Sequence, residues 1–149
     1  MNYQIKVIEH DDKNFAKICD LLEKDIVKEN LSVNGGTLNY AGLTYDSNPL
    51  LVAISNGEII GFNSLVEYED TYYIWQIAVK KKYQGQGVGT ILMKKAMELA
   101  KEKDWDVTAN VRDYNTSSKK MFLNLGFEKI GYSEEGNGFY IYRQMVKKM

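Results

Sequence analysis

The chain has 149 residues, of which 44% are hydrophobic, and its formal net charge is -1. This length predicts one globular domain, residues 1–149, and the balanced charge argues against a protein that binds nucleic acid through its phosphates. One cysteine and one histidine exclude an intrachain disulfide framework and argue against a metal site. Because no apolar run is long enough for a signal peptide or a membrane span, we expect a cytoplasmic protein without membrane attachment. The oligomeric state is open between a monomer and a homodimer.

The first part of the chain predicts a strand followed by a helix. Residues 3–10 have the composition of a strand. Residues 13–29 form an amphipathic pattern, because apolar residues recur at helical spacing from Phe15 to Ile26. Cys19 lies on this apolar face, so we expect a buried thiol rather than a covalent intermediate.

A long irregular segment separates this helix from a predicted hairpin. Residues 30–48 mix turn-forming and apolar residues, and long irregular segments in compact domains are often functional. Asn56-Gly57 then lies between two apolar runs, which indicates a type I′ hairpin turn. Residues 72–79 are apolar almost throughout and predict a strand in the middle of a sheet, covered on both faces.

The second half of the chain contains further predicted elements in alternation. They are a helix over 88–103, a strand over 106–112, a helix over 115–126 and two strands within 127–146. Gly126 has the position of the residue that ends the shorter helix. The order of elements predicts an α/β domain with a mixed sheet, in which strands 72–79 and 106–112 run parallel.

Three glycines, Gly85, Gly87 and Gly89, stand between strand 72–79 and the following helix. A glycine loop at a helix N-terminus predicts an anion site, because the first N–H groups of the helix lack partners and glycine lets a phosphate approach the backbone. The dinucleotide pattern G-x-G-x-x-G fails at Thr90, and no Gly-Lys-Ser/Thr sequence completes a P-loop. A tight turn that needs glycine for its shape alone is the alternative.

Two segments together identify a family. Gln84-Gly85-Gln86-Gly87-Val88-Gly89 resembles the acetyl-CoA pyrophosphate loop of the GNAT superfamily of N-acetyltransferases, whose pattern is Gln/Arg-x-x-Gly-x-Gly/Ala. A second motif of that family, which begins with Asn and ends with Gly-Phe, resembles the segment that carries Asn115, Ser118, Phe122 and Leu125-Gly126-Phe127. The two motifs lie in the family's order within residues 72–127.

The resemblance implies a mixed, mostly antiparallel central sheet with a parallel, splayed strand pair, flanked by helices. It also implies direct transfer of the acetyl group of acetyl-CoA to a primary amine of a small molecule, a peptide or a protein. The loop amides would bind the pyrophosphate, the end of strand 72–79 would pair with pantetheine, and the backbone N–H of Val79 would be an oxyanion donor. The implied cofactor-binding residues are Ile77, Ala78, Val79, Gln84, Gly85, Gln86, Gly87, Val88, Gly89, Thr90, Asn115, Ser118 and Phe122.

The usual acid of the family does not carry over. Many members have a tyrosine that protonates the leaving thiolate at the position of Phe122, which has no proton to give. Tyr114 is close in sequence and is a candidate acid, although an ordinary packing role is the alternative. Water can also suffice, because a thiol with a pKa near 8.5 leaves readily.

The usual base is missing as well. Some relatives have a glutamate on the strand before the glycine loop, where this chain has Tyr73 and Gln76. Glu67 and Glu69 are predicted at alternate positions of the preceding strand, so either can act through water or belong to a solvated acidic edge. His10 is expected at the surface rather than as a base.

The acceptor is predicted only by its surroundings. By analogy with the family, segment 30–48, the edge at 67–70 and the turn at 133–138 form the acceptor walls, and aromatic residues on the last strand pack or line that pocket. Acidic residues in these segments favour a cationic acceptor: Asp46, Glu67, Glu69, Asp70, Glu134 and Glu135. A non-catalytic acyl-CoA sensor or docking module is the second hypothesis. A generic nucleotide-binding protein is a third hypothesis, which is weakened because this chain lacks the P-loop lysine.

Overall fold

The computed structural model describes residues 2–28, 46–112, 116–135 and 140–147. Within these residues seven strands form one sheet: β1 (Gln4–Ile8), β2 (Leu50–Ser55), β3 (Glu58–Tyr68), β4 (Thr71–Val79), β5 (Asp106–Arg112), β6 (Glu128–Glu135) and β7 (Tyr140–Lys147). Their order across the sheet is β1-β2-β3-β4-β5-β7-β6. β4 and β5 are parallel, as predicted, and the other neighbours are antiparallel.

Helices cover both faces of this sheet. The first, α1 (Phe15–Leu22), continues as a π-helical turn over Glu23–Val27. Its apolar side chains pack on one face, where Cys19, Leu22 and Ile26 join Phe62 of β3 in a buried cluster. The predicted burial of Cys19 is confirmed, since the residue is 0% exposed.

The opposite face of the sheet carries α2 (Val88–Lys103) and α3 (Thr116–Asn124). Leu92 and Met93 of α2 lie in one buried cluster with Phe122 of α3 and with residues of the central strands. Two neighbouring parallel strands need a crossover connection, and α2 is that connection between β4 and β5.

Two hairpins have turns with left-handed backbone at both central residues. Asn56 and Gly57 have φ of 52° and 77°, which confirms the predicted type I′-like turn between β2 and β3. Glu69 and Asp70 have φ of 48° and 57° and connect β3 to β4 in the same way. The prediction that Glu69 lies on the strand beside Glu67 is therefore wrong, because β3 ends at Tyr68 and the two-residue turn takes Glu69 out of the pleat.

Strand 72–79 lies in the middle of the sheet, as predicted, but it is not covered on both faces: Tyr72 and Ile74 share the face of α2, and Tyr73 on the other face is only half-buried. Tyr72 and Ile74 are buried, whereas Trp75 is 41% exposed and the residues from 76 to 79 are half-buried. The change occurs where the pairing with β5 ends: the parallel ladder runs from Thr71 to Ile74 and no further. Trp75 is also the extra residue of a bulge against β3. Bulges bend strands and end regular pairing, so β4 and β5 separate toward their C-terminal ends.

Candidate functional site

A cleft of about 570 Å³ opens where β4 leaves β5. It lies on the face of the sheet that carries α2 and α3. The residues that line it come from the end of β4, the glycine loop, the first turn of α2 and the start of α3: Ile77, Ala78, Val79, Tyr83, Gln84, Gly85, Gly87, Val88, Gly89, Thr90, Ser117, Ser118 and Met121.

The glycine loop takes a backbone that side chains disfavour. Gly85 and Gly87 have φ of 79° and 84°, in the left-handed region, and nothing lies within 4 Å of a Cβ built on either residue. A side chain there would therefore project into open space at the cleft. Shape and access both require glycine at these two positions.

The start of α2 suits an anion. Gly87 is its N-cap and offers no side chain to bond the first N–H groups, and the first turn contains no acidic residue. The helix dipole is positive at this end, and unsatisfied N–H groups there bind phosphates. The residues present thus fit a pyrophosphate.

The backbone of β4 also turns polar groups toward the gap. The Lys80 N–H donates to the carbonyl of Ile60 on β3, at 2.8 Å. Because N–H and C=O groups alternate in direction along a strand, those of Ile77 and Val79 point to the opposite edge, from which β5 has separated. The Val79 carbonyl already accepts a hydrogen bond from Gln84 Nε2 at 2.9 Å, which ties the loop to the end of the strand.

A carboxylate on β3 holds the turn that leads into the loop. Glu58 accepts a hydrogen bond from the Tyr83 hydroxyl at 3.0 Å, and Lys80 and Lys82 lie at 3.4 and 3.6 Å from its oxygens. The hydrogen bond from Tyr83 is the main cause that lowers the pKa of Glu58, and it raises the pKa of Tyr83. No sequence pattern predicts this cluster, because Glu58 and the Lys80–Tyr83 turn belong to separate elements that only the fold brings together.

Glu58→Ala is expected to weaken CoA binding by less than about fivefold, because exposed ion pairs contribute little free energy. The affinity for S-acetylpantetheine, which lacks the pyrophosphate, should not change, because Glu58 acts on the loop and not on the pantetheine cleft. Calorimetric titration of both ligands measures the difference. The matched control is Glu98→Ala, since Glu98 pairs with Lys95 on α2 with a 61% exposed side chain. Equal losses for both ligands would contradict a role in positioning the loop.

Phe122 is not brought to the cleft, although the resemblance placed it in the channel. It is 2% exposed and packs edge-on against Phe127, with ring centroids 4.9 Å apart. The Phe127 N–H donates to the Phe122 carbonyl and the Gly126 N–H to the Leu123 carbonyl, both at 3.0 Å. This is a Schellman motif with its hydrophobic contact, and Gly126 has a φ of 89°, as the predicted C′ residue requires. Met121 and Ser117 of the same helix face the cleft instead.

The two candidate bases lie elsewhere. Glu67 is opposite Tyr72 at the paired end of β4 and accepts a hydrogen bond from Lys103, at 3.2 Å, near the end of α2. At about 3.3 Å per residue, the step from Tyr72 to Val79 along the strand spans about 23 Å. Glu69 is in the turn beyond. The structure therefore does not gather the acidic edge around the cleft.

Other predicted residues are outside the cleft lining or outside the described residues. The Gln86 side chain donates to the Lys82 carbonyl at 3.3 Å. Tyr114, Asn115 and most of segment 30–48 lie outside the described residues. His10 is exposed, as expected, with its ring 4.7 Å from that of Phe15.

Two further observations concern the described residues. None of their helices is long and apolar enough to span a membrane. Among the same residues, no group of three or more His, Cys, Asp or Glu side chains could hold a metal ion.

A glycine loop at a helix N-terminus, next to a parallel pair that separates, defines the class of fold that the resemblance predicted. The model of the acetyltransferase (GNAT) family matches residues 15–127. This chain belongs to the GNAT acetyltransferase family.

Relatives and solved structures agree with this assignment. A Bacillus subtilis protein assigned as a ribosomal protein bS18-alanine N-acetyltransferase is 32% identical over 82 residues, 54% of this chain and 54% of the relative. L-2,4-diaminobutyric acid acetyltransferase of Shouchella clausii is 33% identical over 85 residues, 54% of this chain and 48% of the relative. These matches span about half the length of each relative. The crystal structure of PaiA N-acetyltransferase from Thermoplasma acidophilum in complex with coenzyme A shares the fold, with a TM-score of 0.67, 15% identity and 100% coverage of both chains.

Proposed function

We propose that this chain is an acetyl-CoA-dependent N-acetyltransferase that acetylates a primary amine. The observation that carries the proposal is the cleft itself, in which an uncapped helix N-terminus and the edge of β4 face the same space. The names of the two relatives, an alanine N-acetyltransferase and a diaminobutyric acid acetyltransferase, support the same reaction class.

Each part of the site has a role in this reaction. The loop amides from Gln84 to Thr90 hold the pyrophosphate, and the β4 edge at Ile77 and Val79 pairs with the pantetheine arm. The amine nitrogen bonds to the carbonyl carbon of the acetyl group, and the bond between that carbon and the CoA sulfur breaks. The amine loses one proton and the CoA thiolate gains one, so that CoA leaves as the thiol. In this proposal a backbone N–H of β4 near Val79 is the oxyanion donor, because a fixed amide stabilises negative charge on the thioester oxygen without reorganisation.

The pKa of the acceptor amine determines the free-energy cost of removing its proton, and so its need for a general base. Deprotonating a lysine-like amine at pH 7 costs about 4–5 kcal/mol, but an α-amine with a pKa near 8 costs only about 1 kcal/mol. Neither Glu67 nor Glu69 is at the cleft to act as a base, so an amine of low pKa fits this site best. We therefore propose α-amines, free or at a peptide N-terminus, as the preferred acceptors.

A positive charge elsewhere on the acceptor is not part of this proposal. Of the acidic residues predicted at the acceptor walls, Glu67, Glu69 and Asp70 lie at the other end of β4. A second opening of about 660 Å³, on the other side of the Lys80–Tyr83 turn, is mainly basic: its lining residues are Lys24, Asp25, Lys28, Lys80, Lys81 and Lys82. The single domain, the cytoplasmic location, the monomeric or dimeric state and the absence of nucleic-acid partners stay predictions from the sequence.

The test combines binding with turnover. We expect CoA and acetyl-CoA to bind in calorimetric titration, and thiol to be released from acetyl-CoA in the presence of α-amines such as alaninamide faster than with Nα-acetyllysine amide. Binding without thiol release across a panel of amines would instead support the alternative, a non-catalytic acyl-CoA sensor. No binding of either ligand would contradict both functions.

A further inference from the structure

Two carboxamide side chains flank the point where β4 and β5 separate. Gln76 and Asn110 each have a buried side-chain oxygen with no hydrogen-bond partner among the described residues. The parallel ladder ends at the pair Ile74 and Ala109, so Asn110 is the first residue of β5 beyond it. Gln76 is the first residue of β4 beyond the bulge at Trp75. Both residues therefore lie where the gap between β4 and β5 begins.

Both side chains belong to the face of the sheet that carries α1. On β4, Gln76 alternates with Ile77 and shares its side with Ala78, which packs against the α1 cluster. On β5, Asn110 lies between Ala109 and Val111, which are buried on the α2 side. Neither residue lines the cleft with the glycine loop, which is on the α2 side. The gap thus has the nucleotide cleft on one face and these two amides on the other.

Such oxygens need donors. A buried acceptor that folding leaves without a partner has lost its bonds to water, and native proteins contain few of them. Two such atoms, on the two strands that border one gap, are what a ligand with paired N–H donors would satisfy. The third unpartnered oxygen, Asn63 Oδ1, lies away from this face, since its amide nitrogen contacts Leu92 and Met93 of α2.

We propose that Gln76 and Asn110 form the acceptor subsite and that it selects primary over secondary amines; this inference rests on the proposed function. A primary amine that has lost its proton has two N–H donors and one lone pair. Two carbonyl oxygens accept both N–H groups and leave the lone pair directed at the acetyl carbon across the gap. A secondary amine satisfies only one of the two oxygens.

The test compares alaninamide with N-methylalaninamide, or the fastest amine of the panel with its N-methyl derivative. Gln76→Met and Asn110→Leu keep the volume of each side chain and remove its carbonyl. We expect the wild type to prefer the primary amine, and each variant to raise KM for that amine by roughly tenfold. The ratio of kcat/KM for the primary amine to that for the N-methyl amine should fall in each variant. The Kd of CoA should not change, which also shows that the variant is folded.

Asn63→Leu is the matched control, because it removes a buried carbonyl from the other face. It is expected to lower thermal stability and to leave the selectivity ratio unchanged. A wild-type KM and ratio in both Gln76→Met and Asn110→Leu, or an equal fall of the ratio in Asn63→Leu, would overturn the subsite. Gln76→Ala and Asn110→Ala give the same comparison if the larger replacements fail to fold. If the wild-type protein transfers acetyl to no amine, both the proposed function and this inference are overturned. If it transfers acetyl and the Gln76 and Asn110 variants keep the wild-type KM and selectivity ratio, only the subsite is overturned.

Discussion

Gly87→Asp is expected to lower the affinity for CoA by about 100-fold or more, while the protein stays folded. Gly87 is the N-cap of α2, and a Cβ built on it meets nothing within 4 Å. An aspartate there fits sterically, and acidic residues are favourable at helix N-termini. Its carboxylate would occupy the N–H groups that we assign to the pyrophosphate and would repel that anion. Calorimetric titration with CoA measures the loss, and circular dichroism checks the fold.

Gly87→Asn separates the charge from the backbone effect. Asparagine has nearly the same shape and tolerates the left-handed φ of 84° about as well, but it carries no charge. We expect a much smaller loss of affinity than for the aspartate variant. Unchanged CoA affinity in folded Gly87→Asp would show that the phosphates bind elsewhere.

Phe122→Ala is expected to lower the free energy of unfolding by about 3–5 kcal/mol, because it leaves a cavity where a buried ring packs. The ring is 2% exposed and contacts Phe127 edge-on, and this contact closes the C-terminus of α3. Urea denaturation followed by circular dichroism measures the change. Leu123→Ala is the control, since Leu123 is the next residue of the helix and is 56% exposed; its effect should stay within about 0.5 kcal/mol.

Phe122→Tyr tests whether the position takes part in the chemistry. Because the ring faces the core and not the cleft, a hydroxyl added there should leave kcat for acetyl transfer unchanged and reduce stability. A clear rise in kcat would mean that the side chain reaches the thiol, and would contradict the placement of Phe122 in the core.

The sequence by itself determined the local elements and one half of the site. Apolar spacing predicted α1 and α2, and Gly126 marked the end of α3. The Asn56-Gly57 turn was predicted because few residue pairs adopt positive φ together. The glycine loop was predicted for the same kind of reason: left-handed backbone and access to a helix N-terminus are properties of a few consecutive residues. Local conformation leaves its record in neighbouring positions of the chain, where sequence reasoning can find it.

The tertiary structure decided where those elements meet. The insertion of β7 between β5 and β6 depends on pairing between distant strands, which no local pattern specifies. The direction of Phe122 toward the core and of Met121 toward the cleft depends on how α3 is rotated against α2. Glu67 and Glu69 carry carboxylates but lie far from the cleft, because the bulge at Trp75 and the end of the parallel ladder put the gap at the other end of β4. Gln76 and Asn110 carry no signal as single residues, since unpartnered oxygens become visible only when two strands separate around them.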